Sequence, residues 1–101
     1  MKAPGQYSEI GMFRIVLACG GVPADEGPRA AGDIAKEFND ARTPRYTNST
    51  CVFEDGSLVL SCDTDWDSGG LNLMDEFSDC LSAYVSTPFD GDLLLVSATV
   101  I

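Results

Sequence analysis

The 101-residue sequence predicts an α+β sandwich, a four-stranded antiparallel sheet with two helices on one face. Three observations carry that prediction. Two stretches place apolar residues at helical spacing. One β-rich run precedes them and another follows them. Between them, Asp55-Gly56 separates two alternating runs as a two-residue hairpin turn does.

The first strand is Met12 to Cys19, ended by Gly20-Gly21. Phe13, Ile15, Leu17 and Cys19 form one wholly apolar parity, as a strand with a single core face requires. A helix follows from about Pro28 to Ala41, because Pro28 suits a first helical turn. Ala30, Ala31, Ile34, Phe38 and Ala41 make its apolar stripe, and Thr43-Pro44 stops it.

The hairpin sets Phe53 opposite Leu58, Val52 opposite Val59, and Cys51 opposite Leu60. Its core face holds Cys51, Phe53, Leu58, Leu60 and Cys62. Asp63 to Gly70 reads as an acidic loop. The second helix runs from about Leu71 or Asn72 to Val85, with Leu73, Met74, Phe77, Cys80, Leu81 and Tyr84 on one side. Thr87-Pro88 and Asp90-Gly91 break the chain before a last strand from Leu93 to Ile101. In that strand Leu93 and Leu95 fall on the open face if Leu94, Val96, Ala98 and Val100 point inward.

The order β-α-β-β-α-β is the ferredoxin-like, split βαβ arrangement, expected here with the first and third strands central and parallel. The expected organisation is a flexible N-terminal arm, 1–11, and one domain, 12–101. There is no apolar h-region at the start and no run long enough to span a bilayer, so the expectation is a cytoplasmic protein without membrane contact.

The net charge of −10 is unevenly placed. Up to Arg45, Glu9, Asp25, Glu26, Asp33, Glu37 and Asp40 balance Lys2, Arg14, Arg29, Lys36, Arg42 and Arg45. Beyond Arg45 there are ten acids and no base. Such a field repels phosphate backbones, which argues against nucleic-acid binding.

Asp63, Asp65 and Asp67 alternate as the first ligands of a calcium loop do. Ser68 replaces the glycine of that pattern and Met74 replaces its bidentate glutamate. The bland alternative is an acidic turn at the start of a helix, where the dipole favours carboxylates. Cys19, Cys51, Cys62 and Cys80 lack metal-knuckle spacing and fall on core faces, so they are expected to be reduced and structural. With no histidine in the chain, an enzyme would have to use carboxylates or an activated thiol.

The open sheet face is expected to carry Val16, Val52, Val59 and Leu95, an aliphatic set suited to a protein surface. Asp75 and Asp79 sit four apart on the second helix as a face for a basic partner. The leading expectation is therefore a small acidic non-catalytic protein-interaction domain, a homodimer or a binder or inhibitor of a basic partner. A calcium-binding domain using the Asp63–Asp67 loop comes second, and an enzyme using carboxylates third. No cofactor other than that calcium is expected.

Overall fold

A computed structural model describes residues 11–40, 45–85 and 92–101. The expected arm up to residue 10, and the breaks at Thr43-Pro44, Thr87-Pro88 and Asp90-Gly91, lie outside the described residues. The elements run β1 (Phe13–Cys19), α1 (Gly27–Asp40), β2 (Thr47–Glu54), β3 (Ser57–Thr64), α2 (Leu71–Tyr84) and β4 (Leu93–Val100). The four strands form one sheet in the order β2-β3-β1-β4, and every neighbouring pair is antiparallel.

β1 and β3 are thus central but not parallel, contrary to expectation. The hairpin is the reason. It reverses the chain between β2 and β3, so β3 runs against both β2 and β1. The strands that share a direction are β1 with β2, and β3 with β4, each pair separated by one strand.

The hairpin register is the one read from the sequence, Val52 facing Val59 and Phe53 facing Leu58. Asp55 and Gly56 both adopt positive φ, 52° and 77°, as the type I′ turn demands. β2 starts at Thr47 and β3 runs two residues past Cys62, so Asp63 belongs to a strand rather than to a loop.

One core lies between the sheet and the helices. Ile15, Leu17, Leu58, Leu60 and Cys62 meet Ala30, Ile34 and Phe38 of α1 and Leu73, Phe77, Cys80 and Leu81 of α2. Tyr46, which the sequence reading passed over, is buried among them. α1 lies chiefly over β2, whereas α2 approaches the sheet less closely, chiefly at β4. The sheet is therefore covered unevenly.

Gly27 opens α1 directly against the Phe53 ring, where a β-carbon would overlap the ring atoms. That close approach holds the helix start on the hairpin. Gly27→Ala must push ring or helix aside, an overpacking loss of about 1–3 kcal/mol in denaturant unfolding. An unfolding midpoint equal to the wild type's would show that Phe53 moves freely.

Candidate interaction surface

The registers divide the side of the sheet away from the helices into cross-strand rows. Val52, Val59, Ala18 and Leu94 form an aliphatic row across all four strands. Thr50, Ser61, Val16 and Ser97 form the next, mostly of hydroxyls. Thr47, Asp63, Arg14 and Thr99 form an ionic row. Of the expected set, Val16 and Val59 are half-buried and Val52 is exposed, all on this face. The face is less apolar than expected, because only one row lacks a polar group.

Leu95 is not on it. Ladder partners share a face, and Leu95 faces Leu17, a core residue. Leu93 likewise faces Cys19, Ala98 faces Ile15, and Val100 faces Phe13. The register skips Val96, because Val16 pairs with Ser97 while Leu17 pairs with Leu95. This β-bulge inverts the parity in mid-strand. Leu93, Leu95, Ala98 and Val100 therefore point to the helix side, and Leu94, Ser97 and Thr99 to the open side. The sequence carries no mark of it, since Leu93 to Val96 are apolar at every position.

Among the described residues α2 covers β4 only in part: Leu93 packs against the core, while Leu95, Ala98 and Val100 on the strand's helix side are exposed. Leu94, Leu95, Val96, Val100 and Ile101 are 44–72% exposed. Leu71 at the start of α2 is exposed too, and Leu95 ends beside Gly70, next to it in the chain. β4 is also a sheet edge, and residues 93–101 contain no charge, proline or glycine. The other edge, β2, is blunted. Asn48 and Ser49 drop out of the ladder, Asn48 has φ 51°, and α1 lies against the strand.

Asp63 and Asp67 of the expected calcium loop have separate tasks. Asp63 is buried on the open side, where Arg14 donates to both its oxygens at 2.9 and 3.1 Å and the Asn48 side chain donates at 3.0 Å. The Arg14 contact, helped by Asn48, holds its carboxyl below the usual carboxylate range. Asp67 is buried at the other end of the loop. It accepts the backbone N–H of Asn72 at 3.3 Å and of Leu73 at 2.9 Å, and the Tyr46 hydroxyl at 3.0 Å. It thus caps α2 from outside, since the residue before the helix is Gly70. Asp65 is exposed. Among the described residues no three such side chains converge as a metal requires.

Asn72 also donates to the Tyr46 oxygen at 2.9 Å, which ties β2's approach to the helix. Burial pushes the Tyr46 hydroxyl up to about 12, so it remains a donor at neutral pH. Gly70, at φ 74°, has no room for a side chain, because a β-carbon would come 2.7 Å from Ile15 Cγ2. Glycine is required there on both counts.

Asp75 and Asp79 lie exposed on the outer face of α2, away from β4's ladder. A groove of about 410 Å³ between the helices is lined by Asp25, Glu26, Arg29, Asp33 and Tyr84. Its charges are mixed, and the Tyr84 hydroxyl donates to Glu37 at 2.5 Å. All four cysteines are buried and none forms a disulfide. Burial pushes the Cys51 thiol up to about 12 and that of Cys62 to about 11, so both are protonated at neutral pH and poor nucleophiles.

Comparison with protein-family models, with curated proteins and with solved structures finds no match to this chain.

Two outcomes follow from the aspartates. Asp67→Ala removes the cap of α2 and strands the Tyr46 hydroxyl, a loss of about 2 kcal/mol in denaturant unfolding. Asp67→Asn, which keeps an acceptor, should lose less, and equal losses would deny Asp67 a capping role. Asp63 has a lowered pKa in the fold, so its contribution is present above the ordinary carboxylate value and disappears as pH falls through the folded one. Melting temperatures taken from pH 6 downward should fall less steeply for Arg14→Gln than for wild type. Parallel curves would mean that the Arg14–Asp63 pair has no part in acid stability.

Proposed function

We propose that this chain is a non-catalytic protein-interaction domain of the ferredoxin-like, split βαβ kind, and that its binding surface is β4. The observation that carries this reading is the state of residues 93–101. They form a sheet edge, they are uncharged, and their apolar side chains are exposed on both sides of the strand. An edge of that composition left bare is a template for indiscriminate pairing. A partner that adds a strand satisfies the edge's backbone groups and covers the side chains in one step.

The magnitudes suit a modest interface. Burying a half-exposed leucine, valine or isoleucine yields about 1 kcal/mol, so the five exposed residues supply about 5 kcal/mol from one side. Strand hydrogen bonds add roughly 1 kcal/mol each. Association itself costs about 4–15 kcal/mol, which keeps the complex moderate in affinity.

Other features agree with a binding role. The described thiols are buried, those of Cys51 and Cys62 are protonated at neutral pH, and the chain has no histidine to serve as an acid–base group there. Four cysteines that form no disulfide suit a reducing compartment such as the cytoplasm. No described helix is long and apolar enough to cross a membrane. The acids, Asp75 and Asp79 among them, repel nucleic acid and hold copies apart except along the neutral strip.

Affinity capture from an extract of the source cells tests the reading. Proteins retained by wild type should be lost when the bait carries Leu94→Lys with Val100→Lys. They should be retained when it carries Asp75→Lys with Asp79→Lys. The reverse pattern would move the binding surface to the acidic face of α2 and its partner to a basic protein.

A further inference from the structure

We infer that the partner of β4 is a second copy of this chain, paired antiparallel with it, edge to edge, about a two-fold axis between Val96 and Ser97. The inference rests on the reading of β4 as the binding edge and adds the identity of the occupant.

The first argument is register. Two eight-residue strands overlapped end to end in antiparallel set Leu93 against Val100 of the second copy. Leu94 then meets Thr99, Leu95 meets Ala98, and Val96 meets Ser97. In a regular strand each such pair would join residues of opposite parity, so side chains would face opposite sides of the sheet and the pairing would fail. The bulge at Val96 removes the conflict. Leu93 and Val100 are both on the helix side, Leu95 and Ala98 are both on the helix side, and Leu94 and Thr99 are both on the open side. A bulge ordinarily discourages edge pairing. This one lies at the centre of the strand, where a two-fold axis turns each copy's inverted half onto the uninverted half of the other. A foreign strand of regular parity would have to accommodate the bulge at Val96, as β1 does on the other side.

The second argument is charge. Each copy carries a net charge of −10, and beyond Arg45 all ten charged residues are acids. Residues 93–101 hold none of them. Self-pairing along this strip brings the copies together where their mutual repulsion is least, and a basic partner would find no carboxylate on it.

The third argument is extent. The strand is about 27 Å long, and the pairing covers exposed side chains on both sides of a continuous eight-stranded sheet. It is isologous, as closed dimers require, and leaves the blunted β2 strands as the outer edges. An interface built on one edge lies below the usual 800 Å² or so per partner. The dimer should therefore dissociate on dilution in the micromolar range.

Sedimentation velocity of the full chain at physiological ionic strength, from about 1 to about 200 μM, tests this. Wild type should shift from monomer to dimer across the series. Val96→Lys and Val96→Asp each place two like charges beside the axis, and each variant alone should remain monomeric, with at least a tenfold weaker association. Mixed in equal amounts, the two variants should recover the dimer, a result that misfolding of either could not give. A wild-type monomer throughout overturns the self-pairing, while capture that depends on Leu94 and Val100 would still uphold β4 as a binding edge for another protein. A dimer that survives both single substitutions overturns the placement of the axis.

Discussion

The buried carboxylate of Asp67 is the joint on which the layout turns. It meets the Tyr46 hydroxyl at the entry to β2 and the first free N–H groups of α2, so it joins the edge hairpin to the second helix through one side chain. Gly70 completes the joint by letting the helix start press on Ile15 of β1. With its N-terminus fixed over β1, α2 turns Leu73, Phe77, Cys80 and Leu81 into the common core and leaves most of the outer strand's helix side exposed. α1 is drawn the other way, onto β2, by the contact of Gly27 with Phe53. The exposure of β4 follows from where these two anchors put the helices.

That exposure has a chemical counterpart. The chain concentrates its charge on the helices, the loops, the hairpin end and one ionic row of the sheet, and leaves residues 93–101 neutral. Arg14 and Asp63 close that ionic row by pairing with each other, while Asp67 is consumed by the helix cap. The acids that look most like a metal loop are thus structural at both ends. Surface acidity and an uncharged aliphatic edge are complementary devices, one keeping copies apart everywhere except where the other allows contact.

Much of the fold was legible in the residues. The Asp55-Gly56 turn specified the hairpin register, and period-2 alternation in Phe13 to Cys19 identified the core face of β1, because a single buried face leaves a pattern. Helical spacing located both helices to within a residue or two of their ends. The parts that were not legible lacked such a pattern. Leu93 to Val96 are apolar at each position, so nothing in them reports the bulge, and Leu95 was assigned to the wrong side of the sheet. The roles of Asp63 and Asp67 depend on Arg14, Asn48 and Tyr46, partners 49, 15 and 21 residues away in the chain. Local spacing suggested a cation loop because it cannot show which distant groups occupy those oxygens.

The central claim is that β4 is an open pairing edge rather than a surface covered by water alone. Amide hydrogen exchange, resolved by residue and compared between dilute and concentrated protein, reads this directly. The outward-facing amides of residues 93–100 should become more protected as concentration rises, while those of β2 stay unchanged. Exchange along β4 that is independent of concentration, or protection that grows at the β2 edge instead, would contradict it.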